Sequence, residues 1–290
     1  MRKVLFFTLL LSLWLPGCRP GKEEASPGLL LSYPSLLSHY IAPPDLKLWF
    51  SPGCDPGTNP AFYLCYGRDF LPEGTELEND SLLNLRWTAA WRAKELPPLM
   101  LAVLLPPRSS EGHYLPAAAL PALPDSLQRV FLPNGHKKSE SPLASFFIEE
   151  LFPFLRSRTG SFDLPRLMAC GVESLPVAGA LAARPDSFAL AFICSPDLPQ
   201  IPEKWRKTFV KSWLDSLPAG SARKVQLLIF PENAMQPLPD WIRCLTESDA
   251  FDIKPAKGKP FATPPVSVFE LIRRGKDQPR SAPSEILRPS

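Results

Sequence analysis

At 290 residues, with 45% hydrophobic, 21% charged and 10% aromatic side chains, the chain has a globular composition and enough length to bury one large core. The net charge of +3 is spread thinly, with no basic run beyond pairs such as Lys137-Lys138 and Arg273-Arg274, which argues against nucleic-acid binding. The 37 prolines against 15 glycines are scattered without an internal period or heptad seam, so repeat and coiled-coil architectures are excluded as well.

Arg2 and Lys3 precede the apolar run Val4 to Leu15, which is too short to span a bilayer and fits a signal-peptide core. Residues 1–17 are therefore expected to direct export. The run ends Leu15-Pro16-Gly17-Cys18, which resembles the lipobox of bacterial lipoproteins, where cleavage exposes the cysteine for acylation. That resemblance implies a membrane anchor at Cys18 in the bacterial cell envelope, each buried methylene contributing about 0.8 kcal/mol. An ordinary secretory signal with an incidental cysteine is the alternative. Residues 18–45 are expected to form the tether and an N-terminal segment, 46–275 one domain, and 276–290 a frayed polar tail.

From Leu46 the periodicity sharpens. Leu46 to Phe50 alternates like a strand, Ala61 to Tyr66 is a continuous apolar run ending at Gly67, and Ser81 to Lys94 reads as a helix capped by Asp80 or Ser81. Leu99 to Leu105 is a fully apolar strand. Residues 106–141 form a long proline- and serine-rich stretch with one candidate strand at Arg129 to Leu132, and Ser141-Pro142 starts a helix with apolar residues at spacings of three and four. Strands are expected at Leu167 to Gly171, Ser187 to Cys194, Val225 to Phe230 and Phe251 to Ile253. Helices are expected up to Ala183 after Gly171, and at Glu203 to Leu217, Leu238 to Leu245 and Pro264 to Arg274. Buried strands alternating with helices predict an α/β fold, a single mostly parallel sheet with helices on both faces.

Apart from Cys18, the cysteines are Cys54, Cys65, Cys170, Cys194 and Cys244, with no C-x-x-C pair, so no zinc site is expected. Cys65, Cys170 and Cys194 lie in apolar runs and read as small buried hydrophobes, although an exported protein could pair two of the five. No metal and no cofactor is expected.

The order of these pieces resembles the esterase D and enterochelin-esterase-like branch of the α/β-hydrolases. The resemblance is carried by Pro60-Ala-Phe-Tyr-Leu-Cys-Tyr-Gly-Arg-Asp-Phe70, Leu96 to Val103, the helix Phe146-Phe-Ile-Glu-Glu-Leu-Phe-Pro-Phe-Leu155, and Ala180-Leu-Ala-Ala-Arg-Pro-Asp-Ser-Phe188. It implies the α/β-hydrolase fold, with a nucleophile elbow where Ala169-Cys-Gly-Val-Glu-Ser174 stands. Gly171 or its neighbour Val172 then takes the serine's place, Glu232 and Asn233 stand near the expected acid, and Lys259 lies in the turn that would carry the histidine.

Independently of any family, the only histidines are His39, His113 and His136, all before the elbow, whereas the α/β-hydrolase order is nucleophile, acid, histidine. The expected function is thus that of an exported, lipid-anchored, esterase-like protein with a degenerate triad, non-catalytic and serving in binding or scaffolding. A small ester, sugar or peptide is the expected class of ligand. One alternative is a divergent carboxylic-ester hydrolase using Ser174 or Cys170 as nucleophile, with His113 or His136 reaching in from the long loop and Glu232 as acid. A second is a purely structural envelope lipoprotein.

Overall fold

The computed structural model describes residues 27–54, 59–71, 79–110, 114–131, 141–160, 162–194, 201–217, 225–230, 243–244, 251–255 and 268–276. Within them the chain builds one eight-stranded sheet from β1 (Leu29–Tyr33), β2 (Asp45–Phe50), β3 (Ala61–Tyr66), β4 (Leu99–Leu105), β5 (Arg166–Cys170), β6 (Leu190–Cys194), β7 (Val225–Phe230) and β8 (Phe251–Pro255). Their spatial order is β1-β2-β4-β3-β5-β6-β7-β8. The β1–β2 and β2–β4 pairs are antiparallel, and every pair from β4–β3 through β7–β8 is parallel.

The parallel strands are apolar on both sides because helices cover both faces. One face meets α1 (Asp80–Ala93) and α7 (Val268–Lys276) through Trp49, Tyr63, Cys65, Met168, Cys170, Phe192 and Cys194. The other carries Leu48, Phe62, Leu64, Tyr66, Leu167, Ala169 and Ile193. It packs against a helical stretch made of α3 (Pro142–Ser145), a π segment (Phe146–Leu151) and α4 (Phe152–Thr159), together with α5 (Ser174–Ala183) and α6 (Glu203–Ser216). The expected fold class is therefore the observed one.

Local chemistry sets the element ends. Ser141 caps α3 as expected, its hydroxyl accepting from the Ala144 amide at 3.3 Å. The helix then widens, the Phe152 amide bonding back to the Phe147 carbonyl, five residues away. Pro153 lies immediately beyond and has no N–H for the Glu149 carbonyl, a sufficient cause for a π-bulge at this place. Phe147 sits fully buried on the bulge, its ring within 6.3 Å of Tyr66 and Phe152 and 6.1 Å of Phe188.

Several sequence expectations are corrected. The cap of α1 is Asn79, whose Oδ1 accepts from the Leu82 amide at 3.0 Å, and not Asp80 or Ser81. Residues 129–131 belong to α2 (Asp125–Phe131), not to a strand, since a short apolar run carries no period of its own and the Leu127 and Gln128 amides turn back onto the Pro124 carbonyl. Of the stretch expected to be structureless, Ala117–Ala122 forms a further helical turn that packs on α6. Residues 185–187 form a separate turn, so β6 begins at Leu190. Leu29–Tyr33, in the segment placed ahead of the domain, adds an antiparallel edge strand to the sheet.

Candidate functional site

The sheet order reverses around β3. From β3 the chain crosses through α1 to β4 on one side and returns to β5 on the other. In open α/β sheets the crevice beyond the carboxyl ends at such a switch is where ligands bind. Two turns meet here, one leaving β3 and one leaving β5.

The turn leaving β3 starts at Gly67, whose φ of +118° suits glycine alone and whose amide donates to the Leu104 carbonyl at 3.0 Å. Arg68–Phe70 follows as a short 3₁₀ turn. Arg68 donates to the Pro106 carbonyl at 3.3 Å, and Phe70 is buried. The turn leaving β5 passes the corner at Gly171, with φ of +55°, runs through Gly171–Glu173, and enters α5 at Ser174. Strand, left-handed corner and helix are the parts of a nucleophile elbow, and the corner residue carries no side chain.

The two turns interlock. A Cβ built on Gly67 would lie 3.3 Å from Glu173 Cγ, so Glu173 fills the space that glycine vacates. A Cβ on Gly171 would lie 3.6 Å from Asp69 Oδ2, an ordinary contact. Asp69 also accepts a hydrogen bond from the Cys170 thiol; burial pushes its carboxyl up from the usual range, and that hydrogen bond pulls the other way. Glu173 is 3% exposed and precedes the first turn of α5, where a carboxylate meets the positive end of the helix dipole.

The corner is thus bordered by Asp69 and Glu173. An oxyanion hole needs the opposite polarity, N–H donors aimed at developing negative charge. Ser174 is 2% exposed and its hydroxyl finds no hydrogen-bond partner among the described residues; Cys170 is equally buried. Neither presents a solvent-facing nucleophile.

Of the residues singled out from sequence, Cys170, Gly171 and Ser174 come together at this corner. His113, His136, Glu232, Asn233, Lys259 and Cys18 lie outside the described residues. His39 stands on the strap before β2, its Nδ1 2.8 Å from Glu150 Oε1 and its side chain 81% exposed. Sequence reasoning missed Asp69 and Glu173 as site residues. Asp69 follows the glycine turn of β3 and Glu173 follows the corner by two, so topology alone could have flagged both. Among the described residues no group of His, Cys, Asp and Glu is placed to hold a metal, and no helix is long and apolar enough to cross a membrane.

No protein-family model matches the chain, and no curated protein matches it in sequence. Solved structures do. An IroE-like serine hydrolase from Shewanella oneidensis is similar at a TM-score of 0.52 and 15% identity, over 86% of this chain and 78% of that one. An enterochelin esterase from Shigella flexneri is similar at 0.51 and 11% identity over 87% of this chain, which spans 56% of that enzyme. At such identities the likeness speaks for the fold, and the esterase-like resemblance read from the sequence is matched at that level: this chain has the α/β-hydrolase fold of those enzymes.

Proposed function

We propose that the chain is an exported, lipid-anchored protein that keeps an esterase scaffold for binding or scaffolding and does not hydrolyse esters. The observation that carries this reading is the corner itself: Gly171 occupies it at φ +55° with Asp69 alongside. A glycine supplies no nucleophile, and a carboxylate beside the corner opposes the charge that ester attack would develop. Burial of Ser174 and Cys170 weighs against either as a substitute. The crevice at the β3–β5 switch remains the place for a small ester, sugar or peptide ligand. Cys18 carries the anchor and residues 1–17 the export signal.

The rival reading, a divergent hydrolase acting through Ser174, is tested by a fluorophosphonate, which phosphonylates activated serines with loss of fluoride. The purified chain should take up none. A stoichiometric adduct mapped to Ser174 would overturn the non-catalytic reading. The anchor is tested separately, since Cys18→Ser should move the protein from the membrane to the soluble fraction, and unchanged sedimentation would refute lipidation there.

A further inference from the structure

We propose that Cys170 and Cys194 form a disulfide that staples β5 to β6 at the carboxyl edge of the sheet when the chain folds in an oxidising compartment. The register carries this. Cys170 and Cys194 are directly paired residues of neighbouring parallel strands, and both side chains enter the face covered by α1 and α7. Neighbouring strands lie about 4.8 Å apart, inside the roughly 4.4–6.8 Å that a disulfide requires between Cα atoms.

The same register disposes of the other sulfurs. Cys65 lies on that face too, but its partner on β5 is Met168, with Cys65 Sγ 3.6 Å from Met168 Sδ. Cys170 is two residues further along, a diagonal separation of about 7–8 Å. Cys194 is a whole strand beyond that. Cys54 and Cys244 pack against the opposite face. Among the described cysteines the sheet brings one pair into bonding register, and the structure holds both members as thiols, the reduced form of the pair.

Formation follows ordinary thiol–disulfide exchange. One cysteine loses its proton and its thiolate attacks a small disulfide oxidant such as glutathione disulfide, giving a mixed disulfide and one released glutathione thiolate. The second cysteine thiolate then attacks the protein sulfur and releases the second glutathione. Two electrons pass from the cysteine pair to the oxidant, and two protons to solvent. Both residues are buried in the finished fold, at 2% and 0% exposure, so exchange takes place after β5 and β6 pair and before α1 and α7 close over them. The bond also withdraws the Cys170 thiol from Asp69. The inference depends on strand register alone and stands whether or not the chain hydrolyses esters or carries a lipid.

The test refolds the reduced full-length chain in a glutathione redox buffer, confirms folding by circular dichroism, denatures in acid, alkylates thiols and digests with trypsin. Arg184 precedes Pro185 and resists cleavage, so both cysteines fall in the single peptide of residues 167–204. That peptide should carry no label, be lighter by two hydrogens than its reduced form, and accept two labels after reduction. In Cys194→Ser, Cys170 should become fully labelled. Labelling of both cysteines in the folded, unreduced wild-type chain, linkage of either to another cysteine, or a Cys170 that stays blocked in Cys194→Ser would overturn the proposal.

Discussion

Returning a hydroxyl to the corner with Gly171→Ser asks what chemistry the elbow still supports. An L-residue at the φ of +55° found there costs about 1–2 kcal/mol. The new Cβ would meet Asp69 Oδ2 at 3.6 Å, so steric clash adds nothing. A hydroxyl hydrogen bond to that carboxyl returns about 1 kcal/mol. The variant should fold, with its melting temperature lowered by no more than about 2–4 °C, the shift that about 1 kcal/mol produces in a domain of this size. Its activity should stay at background. A negative charge about 4 Å from a developing oxyanion raises the barrier by about 4 kcal/mol at an effective dielectric near 20, roughly a thousandfold in rate. On the non-catalytic reading no base stands at the corner, which withholds a further hundred- to ten-thousandfold or so. The assay is thermal melting together with hydrolysis of a short-chain aryl ester at neutral pH. Turnover about a hundredfold above wild type would contradict this expectation, because it would require a base and oxyanion donors already aimed at the corner.

Asp69→Asn should make the chain more stable near neutral pH and leave it unchanged near about pH 3. A carboxyl whose folded-state pKa is raised above 3.8 favours the fold while protonated, and that contribution is lost as pH rises through the elevated value; urea midpoints with the same pH slope in both chains would contradict this. Gly179→Ala should destabilise although alanine favours helix by about 1 kcal/mol. The added Cβ would stand 2.9 Å from Cγ of the stiff Pro116 ring, and overpacking costs about 1–3 kcal/mol; a raised urea midpoint would show that this contact yields easily. Phe147→Ala, emptying a fully buried site among Tyr66, Phe152 and Phe188, should cost about 3–5 kcal/mol; a loss below about 1 kcal/mol in urea unfolding would refute the role given to the π-bulge aromatic.

How much of this the sequence discloses depends on how far each feature reaches along the chain. The parallel strands were legible because burial on both faces makes them continuous apolar runs, as in Leu99–Leu105, every residue of which is buried. Ser141-Pro142 was legible because a cap and a proline at the first helical position act within four residues. The outer strand Leu29–Tyr33 was not, since its identity comes from pairing with residues 46–50 and not from its own pattern. The helix at 125–131 was misread because a short apolar run is equally consistent with strand and helix.

At the site, the corner was visible as a glycine between an apolar run and a small-residue helix, and the structure gives that glycine a φ of +55°. The carboxylates were not visible. Asp69 reaches the corner across a hundred residues, and Glu173 reaches Gly67 across a similar separation. Those contacts exist only once β3 and β5 lie side by side. The same adjacency, carried one strand further, is what brings Cys170 opposite Cys194.

Whether this scaffold hydrolyses esters is decided by turnover of short-chain aryl esters by the purified wild-type chain. A non-catalytic chain gives a rate indistinguishable from buffer and from the Ser174→Ala and Cys170→Ser variants. Saturable turnover by the wild-type chain that either substitution abolishes would contradict the non-catalytic reading.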